Sequence, residues 1–347
     1  MTVAKQKKET FFQRIARNWK TNPMFSTGCV LVLMIIVQTI ALGFNDASFG
    51  AWLQRWGKNW INILRNNAGV GIVALGMTFV IISGGIDLAV GSTMVAIGAV
   101  LMVIINGYPA GLLTAVGITG VPAYLIGILA AVLVGCLIGA INGTLIARSK
   151  LPAFIVTLGM MKICRSVTQQ CMQKASPTVP KAFLKIANAR IGGEIILPIL
   201  YWLALAVILH VVSKHTAFGR QVFAIGSNER TSKLSGVNVR AVKRRVYALM
   251  GALVAVTAAI QIARIGSMDY ANAGSGYEMD AIAAVIIGGT SMSGGRGSVI
   301  GSVLGMLILA VMNNLLNLIG VPPFLREAFK GIIVIGAVLL QKKEKAS

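Results

Sequence analysis

VPAYLIGILAAVLVGCLIGAINGTLIA, residues 121–147, is the stretch that decides the fold of this chain. It holds no charged side chain and is long enough to cross the ~30 Å hydrocarbon layer of a bilayer as a helix, which needs about 17–25 residues. Residues 24–44 and 247–263 form similar apolar runs. Several such runs in one chain exclude a soluble globular protein, so we predict an all-α integral membrane protein.

The composition leads to the same class. Of the 347 residues, 56% are hydrophobic and 12% are charged, whereas a soluble domain keeps about a quarter of its residues charged. The formal net charge of +22 would suit a nucleic-acid-binding protein, but Lys and Arg are concentrated in particular segments between the apolar runs. Such an excess marks the cytoplasmic loops of membrane proteins. We therefore expect the lipid bilayer as a partner and no nucleic acid.

Hydropathy, with Gly, Pro and charge as breaks, predicts about ten spans within a transmembrane domain of residues 24–341. The segments predicted to be cytoplasmic are the tail 1–23, residues 148–150, the loop 214–245 and the tail 342–347. They hold 19 Lys and Arg, against 8 in the opposite loops, so both termini are predicted to be cytoplasmic. The predicted spans are 24–44, 66–83, 91–106, 121–147, 152–172, 195–213, 246–266, 281–292, 298–319 and 327–341.

Two Gly-rich patches interrupt the apolar pattern in a similar way. The first reads SGGIDLAVGS over residues 83–92, and the second reads GGTSMSGGRGS over residues 288–298. Backbone that leaves a helix at membrane depth is tolerated only where protein or a water-filled cavity satisfies it, and paired breaks are typical of internally repeated transporters. The patches therefore predict either two broken-helix regions in a weak internal repeat or ordinary polar turns outside the bilayer.

Charges and amides inside the spans are the candidates for a translocation pathway, because an intramembrane ionisable group usually faces the bundle interior. Asp87 and Arg296 carry opposite charges in equivalent breaks, so they could pair with each other; the alternative is that each snorkels or pairs in a structural role. Asn313 and Asn317 lie one turn apart and suit either a hydroxyl-rich solute or hydrogen bonds between helices. The pathway candidates are Gly85, Asp87, Gly91, Gly295, Arg296, Asn313 and Asn317, with Lys162 and Arg165 as further charges in the fifth span.

Two glycine series have four-residue spacing, which places bare backbone on one helix face and lets a second helix approach closely. That second helix belongs either to the same chain or to another subunit. The two series are Gly135, Gly139, Gly143 and Gly297, Gly301, Gly305.

The basic loop 214–245 contains a predicted short helix over residues 228–236. Asn228 is a good N-cap, Glu229 suits the positive end of the helix, and Gly236 stands where a left-handed terminator belongs. Such a helix is rigid enough to transmit force to another protein, while a solvated loop that only sets topology is the alternative. The candidate coupling residues are Asn228, Glu229, Arg230, Leu234, Ser235 and Gly236, with Arg230, Leu234 and Val237 as one contact face.

Four ordered motifs resemble the branched-chain-amino-acid and monosaccharide permease superfamily of ABC importers, in its ribose, galactoside and related sugar branch. The resemblance runs from about residue 66 to the C-terminus, and relatives usually carry two small residues where this chain has Arg230 and Thr231. The motifs are SGGIDLAVGS at 83–92, LPAFIVTLGM at 151–160, FAIGSNERTSKLSGVN at 223–238, and GYEMDAIAAV at 276–285 followed by GGTSMSGGRG at 288–297.

The resemblance implies a permease of the bacterial cytoplasmic (inner) membrane that forms the path for a monosaccharide, as a homodimer or as a heterodimer with a paralogue. It also implies cytoplasmic ATPase subunits, which would bind ATP and Mg²⁺, and an extracytoplasmic sugar-binding protein. The chain itself has no G-x-x-x-x-G-K-[ST] phosphate loop, no metal-ligand constellation and no nucleophile–base pair, so we expect no metal, no cofactor and no enzyme activity. An ion-coupled secondary transporter of a small polar solute is the competing function.

Overall fold

The computed structural model describes residues 23–44, 46–105, 111–149, 151–173, 177 and 179–344, and of the predicted tails residues 1–22 and 345–347 lie outside this part. Within it the chain forms fourteen α-helices and no strand. In chain order they are α1 (Pro23–Leu42), α2 (Phe49–Ile82), α3 (Val90–Ile105), α4 (Leu112–Ala115), α5 (Gly120–Ser149), α6 (Ala153–Met172), α7 (Lys181–Asn188), α8 (Leu197–His215), α9 (Ala217–Ser227), α10 (Glu229–Leu234), α11 (Val239–Ile265), α12 (Tyr277–Ile287), α13 (Val299–Leu318) and α14 (Pro323–Glu344).

Six of the described helices, α1, α2, α5, α8, α11 and α13, are long and apolar enough to cross a membrane by length and composition. The other predicted spans also contain a helix each, namely α3, α6, α12 and α14. With 11 residues, α12 is about 16 Å long, which is short of the ~30 Å hydrocarbon layer. The all-α membrane class is confirmed, and the number of crossings stays a prediction.

The centre of the bundle is formed by α2, whose residues from Ala68 to Ile82 are all buried. It packs against α8, α11, α12 and α13, while α11 also lies along α5. By contrast, α1, α5 and α8 keep large apolar side chains exposed, among them Leu33, Leu133 and Val207. A continuous apolar face of this kind is what a helix presents to lipid or to another subunit.

The prediction of a loop over residues 45–65 is wrong, because α2 begins at Phe49. Ser48 caps this helix by accepting a hydrogen bond from the Ala51 N–H at 3.2 Å. The added turns are stabilised by aromatic packing, since the Trp52 and Trp56 rings stack with centroids 6.5 Å apart. The helix is therefore extended by ring contacts that a hydropathy profile does not register.

The segment 214–245 is not one loop with a single short helix. Its residues are divided among the end of α8, the whole of α9 and α10, and the first turns of α11. Thr216 ends α8 and also caps α9, because its hydroxyl accepts from the Gly219 N–H at 3.1 Å. The segment is thus a chain of short joined helices that can hold a fixed shape.

The glycine series of α5 faces α11 of the same chain. A Cβ at Gly139 would collide with the carbonyl of Tyr247, and one at Gly135 would collide with the carbonyl of Gly251. One turn further on, a Cβ at Gly143 would lie 2.7 Å from the Cα of Arg244. Backbone contact over two turns explains why these two helices pack so closely.

The second glycine series faces the end of α12, again within the chain. A Cβ at Gly301 would collide with the carbonyl of Gly288, and one at Gly305 with the carbonyl of Ala284. A Cβ at Gly297 would lie 2.7 Å from the side chain of Thr290. This series lets α13 return directly against the half-length helix that precedes it.

Candidate functional site

A short exposed helix, α10, occupies the place predicted for the coupling helix. Asn228 caps it by accepting a hydrogen bond from the Thr231 N–H at 2.9 Å. Lys243 of α11 forms an ion pair with Glu229 in the first turn, at 2.6 Å. After Leu234 the chain reverses through Ser235 and Gly236, whose φ of +83° is the left-handed conformation that glycine adopts without strain. The Asn228 cap and the left-handed Gly236 therefore define the two ends of this helix.

Leu234 exposes 82% of its surface, more than any other exposed large apolar side chain of the described residues except Phe324. On the opposite side of α10, Ser232 is buried and donates a hydrogen bond to the carbonyl of Asn228 at 2.8 Å. Arg230 shares the exposed face with Leu234, whereas Val237, the third residue of the predicted contact face, is half-buried and packs against the core. The helix is thus anchored by one face and offers the other.

Three segments that are distant in sequence meet at the end of α9. The Gly295 N–H donates to the carbonyl of Ile82, the last residue of α2, at 2.9 Å. A Cβ at Gly226 would collide with that same carbonyl, and one at Gly295 would lie 2.5 Å from the Ser227 hydroxyl. A Cβ at Gly294 would lie 3.1 Å from the Ile82 carbonyl. We call Ile82, Gly226, Ser227, Gly294 and Gly295 the coupling junction. It lies directly before Asn228, the N-cap of α10.

The first break, residues 83–89, carries Asp87 into the interior. Asp87 is 5% exposed, and its Oδ1 accepts a hydrogen bond from the Ala89 N–H at 2.9 Å. A cavity of about 10 Å³, room for about one water molecule, lies beside it. Asn142 of α5 lines the same cavity, and its Oδ1 is buried without a hydrogen-bond partner in the part of the chain that the structure describes. Asp87 therefore lies in an enclosed polar spot between helices.

Two glycines let other segments approach this break. A Cβ at Gly85 would lie 2.5 Å from the Tyr247 hydroxyl, which donates a hydrogen bond to the carbonyl of Ile86 at 3.2 Å. A Cβ at Gly91, in the first turn of α3, would collide with the carbonyl of Gly274. The break is therefore held from α11 on one side and from the segment before α12 on the other.

Asp87 and Arg296 do not pair with each other in this structure. Both residues are described, and none of the ion pairs in the described part joins them. In the second break, residues 288–298, the Ser291 N–H donates to the carbonyl of Arg296 at 3.0 Å, and the Arg296 side chain is exposed. Opposite charges in similar patches do not meet here because one is enclosed and the other lies on an exposed turn.

The amides of α13 divide between packing and an unassigned role. Asn314 exchanges hydrogen bonds with Asn59 of α2 at 3.1 and 3.2 Å, so it links two helices. Asn317 accepts from Arg326 at 2.9 Å near the exposed end of α13. The Oδ1 of Asn313 is buried and has no hydrogen-bond partner among the described residues. Two of these amides thus link helices, Asn314 to α2 and Asn317 to Arg326 of α14.

Arg165 of α6 braces the segment that precedes α12. Its guanidinium donates to the carbonyls of Tyr270 and Ala273 at 3.2 and 2.9 Å. In the same segment, the hydrogen bond from the Asn272 side chain is the largest of several that hold the pKa of Asp269 below its ordinary value. The intramembrane charge predicted at Arg165 is therefore satisfied by carbonyl groups.

Lys330 of α14 was not among the predicted site residues. Its ammonium group forms ion pairs with Asp280 of α12 at 3.1 Å and with Glu327 of its own helix at 2.9 Å. The lysine that was predicted, Lys162 of α6, is exposed. A lysine within a predicted span needs an acidic partner, and this signal would have identified the contact. The contact fastens α14 to the half-length helix beside the second break.

Among the described residues, no group of three or more His, Cys, Asp or Glu side chains is placed to hold a metal ion. The four cysteines are free thiols.

Comparison with known proteins gives one family and a consistent set of relatives. The family described as branched-chain amino acid transport system / permease component matches residues 59–338. The chain is 37% identical over 323 residues to the ribose import permease protein RbsC of Escherichia coli (strain K12), covering 91% of this chain and 92% of the relative. No solved structure matches the chain.

Two further relatives extend the set. The ribose import permease protein RbsC of Bacillus subtilis (strain 168) is 39% identical over 291 residues, covering 83% of this chain and 86% of the relative. The xylose transport system permease protein XylH of Haemophilus influenzae is 31% identical over 379 residues, covering 91% and 96%. The resemblance predicted from the four motifs is confirmed, and the chain belongs to the permease-component family of the branched-chain amino acid transport system.

Proposed function

We propose that this chain is the permease subunit of an ATP-binding-cassette importer and forms the transmembrane path for a monosaccharide. Family membership supports the transport role, and the relatives named for ribose and xylose support a monosaccharide as the solute. The partners are cytoplasmic ATPase subunits, which bind ATP and Mg²⁺, an extracytoplasmic sugar-binding protein, and a second copy of this chain or a close paralogue.

The observation that carries the proposal is the coupling junction beside an exposed Leu234. A helix as short as α10 is not stable alone in water, so its order comes from its anchored face. Because Gly226 and Gly295 contact the end of α2 without room for a methyl group, a push on α10 reaches Ile82 within a few residues. An ATPase that docks on Leu234 would thereby move the ends of both breaks.

The two breaks are the moving parts of the path in this proposal. Gly85 and Gly91 let neighbouring backbone close over the first break, and Asp87 faces the solute when that contact opens. Gly295 and Arg296 move with α9, and among the amides of α13 we assign Asn313 to the solute because its Oδ1 has no other use among the described residues. Amide and carboxylate oxygens accept hydrogen bonds from sugar hydroxyls.

We propose ten crossings in a bacterial cytoplasmic (inner) membrane, with both termini on the cytoplasmic side. The segregation of Lys and Arg supports this orientation. The test replaces the exposed Cys171 and then introduces single cysteines at position 346 or beside Lys181. In intact cells an impermeant thiol reagent should label only the cysteine near Lys181, and labelling at position 346 would overturn the orientation.

The decisive experiment is Leu234→Asp, measured by co-purification of the ATPase and by uptake of radiolabelled sugar. Burying an unpaired carboxylate in a contact costs several kcal/mol, which weakens binding by about a hundredfold or more. Since Leu234 is exposed in this chain, the variant should insert and fold normally. We expect ATPase binding and uptake to be lost together.

Ala224→Asp is the matched control, because it adds the same charge at an exposed position of α9. This variant should keep both ATPase binding and sugar uptake if the ATPase contacts only the Leu234 face of α10. Uptake by Leu234→Asp with no ATPase bound would reject the importer and support an ion-coupled secondary transporter.

A further inference from the structure

A basic cavity lies where α5 ends and α11 begins. It has a volume of about 160 Å³ and is lined by Arg148 of α5 and by Arg240 and Arg244 of α11, together with Thr144 and Asn238. All three arginine side chains are exposed, and in the described part of the chain none of them forms an ion pair or a side-chain hydrogen bond. Three guanidinium groups therefore surround one space, and no carboxylate of the described residues pairs with them.

Helix packing holds these charges together. A Cβ at Gly143 would lie 2.7 Å from the Cα of Arg244 and 2.9 Å from the carbonyl of Lys243, so the two helices touch one turn before the cavity. Lys243 forms an ion pair with Glu229, so this carboxylate of α10 is not available as a counter-ion for the three arginines. The amino-terminal turn of α11, capped by Asn238, adds the positive end of a helix dipole. Three positive charges that line one cavity repel one another, and an anion in the cavity would relieve that repulsion.

The surroundings indicate what kind of anion fits. On α5, Leu137, Ile141 and Leu145 are exposed apolar side chains at four-residue spacing. Arg148 follows Leu137 by eleven positions, which at 3.6 residues per turn places it at the end of the same face. One helix face thus runs from apolar side chains inside the predicted span to the basic cavity at its edge.

We propose that this cavity binds the phosphate headgroup of an anionic phospholipid, with an acyl chain along the exposed face of α5. Arginine suits a phosphate because its planar fork donates two parallel hydrogen bonds. Basic pockets between membrane helices near the headgroup region are suited to such lipids. The inference uses the proposed membrane crossing of α5 but not the ATPase contact, so either can fail without the other.

The test measures lipid binding to the purified chain in mixed micelles, with phosphatidylglycerol as the probe and phosphatidylcholine as the neutral comparison. Wild-type protein should bind phosphatidylglycerol, and Arg148→Gln alone should weaken that binding about fivefold. The triple variant with Arg240→Gln and Arg244→Gln added should lose it by about a hundredfold. Arg220→Gln, which removes an exposed arginine of α9 outside the cavity, is the matched control and should bind as wild type.

Two results would overturn the proposal. Equal binding of phosphatidylglycerol by the wild type and by Arg148→Gln would show that the cavity does not hold the headgroup. Competition by millimolar inorganic phosphate that removes the lipid completely would assign the cavity to a free phosphate instead. Because Arg148→Gln changes one exposed side chain at the end of α5, the comparison holds even if the triple variant does not fold.

Discussion

The first break has one glycine with positive φ, Gly84, followed by residues 85–89 without regular secondary structure, whereas the second break folds back on itself through positive-φ glycines at Gly289, Gly294 and Gly295. Chain without regular secondary structure satisfies few of its own backbone groups, so residues 85–89 depend largely on side chains and on other segments. A turn satisfies many of its own groups internally. The two regions share a composition but differ in what holds them.

That difference separates two mechanical roles. The first break is held from outside, because Tyr247 of α11 donates to the carbonyl of Ile86. The second break closes its own turn between Ser291 and Arg296, and it leaves the Gly295 N–H free to reach Ile82. A self-supporting turn transmits a displacement, and a segment held by others responds when they move. We therefore expect changes at the second break to affect coupling and changes at the first to affect the state of the path.

Gly226→Ala should have the largest effect, because it acts where the second break meets α9. The added Cβ would collide with the Ile82 carbonyl and lie 2.5 Å from the Gly295 nitrogen, and backbone cannot yield as a flexible side chain does. We expect sugar uptake to fall by about a hundredfold, corresponding to roughly 3 kcal/mol. Uptake and thermal unfolding of the purified protein are the measurements.

Gly159→Ala is the control for this change. Nothing lies within 4 Å of a Cβ at Gly159, and the residue is in the interior of α6, where alanine is favoured over glycine by about 1 kcal/mol. It should transport as wild type and unfold no earlier. If Gly226→Ala also transported normally, the coupling junction would have room for a methyl group. The proposed difference in role between the two breaks would then be rejected.

Hydropathy located a helix for every predicted span, because long apolar runs have few other solutions in a membrane. It missed α9, whose sequence from Ala217 to Ser227 contains two glycines and an arginine and has no long apolar run. Capping chemistry, in contrast, predicted α10 correctly, since the signals at Asn228 and Gly236 are local. Local signals were sufficient for α10, whereas the local caps at Ser48 and Thr216 were not recognised.

Contacts between distant segments were beyond the sequence. The pairing of Asp87 with Arg296 was inferred from similar composition, which fixes neither depth nor direction. The meeting of Gly226 with Ile82 depends on how three helices cross, and nothing in either glycine-containing motif specifies its partner. Whether Asn313 or its neighbour Asn314 faces α2 depends on the rotation of α13, which changes by about 100° per residue. A predicted helix boundary is uncertain by more than one residue, so the sequence does not decide between the two.

Asp87→Ala should have the next largest effect, and it probes the first break alone. The change leaves the buried N–H of Ala89 without its acceptor, which costs about 1–3 kcal/mol in the free energy of unfolding. Asp87→Asn keeps an acceptor oxygen and should preserve most of that stability. Thermal unfolding of the two variants side by side is the measurement, and equal destabilisation by both would show that the hydrogen bond is not what holds the break.

Tyr247→Phe should have a smaller effect and sharpens the link between α11 and the first break. It removes the hydrogen bond to the Ile86 carbonyl and should lower the free energy of unfolding by about 0.5–1.5 kcal/mol. Tyr201→Phe removes a similar bond to the Ile186 carbonyl, at 2.9 Å, away from both breaks. We expect the two variants to lose similar stability but only Tyr247→Phe to change uptake. The same change in uptake for both would mean that the first break is not specially sensitive.

Arg296→Gln should have the smallest effect, because the side chain is exposed and forms no ion pair among the described residues. Surface changes of this kind stay within about 0.5 kcal/mol, so uptake should remain within about twofold of wild type. The exchange of charges, Asp87→Arg with Arg296→Asp, should be inactive, since it forces a guanidinium, which is larger than the carboxylate it replaces, into the buried site of Asp87. Uptake of radiolabelled sugar by Arg296→Gln and by the charge-exchanged double variant is the measurement. Recovery of transport in the exchanged protein would restore the pair and mean that the two breaks close on each other during the transport cycle.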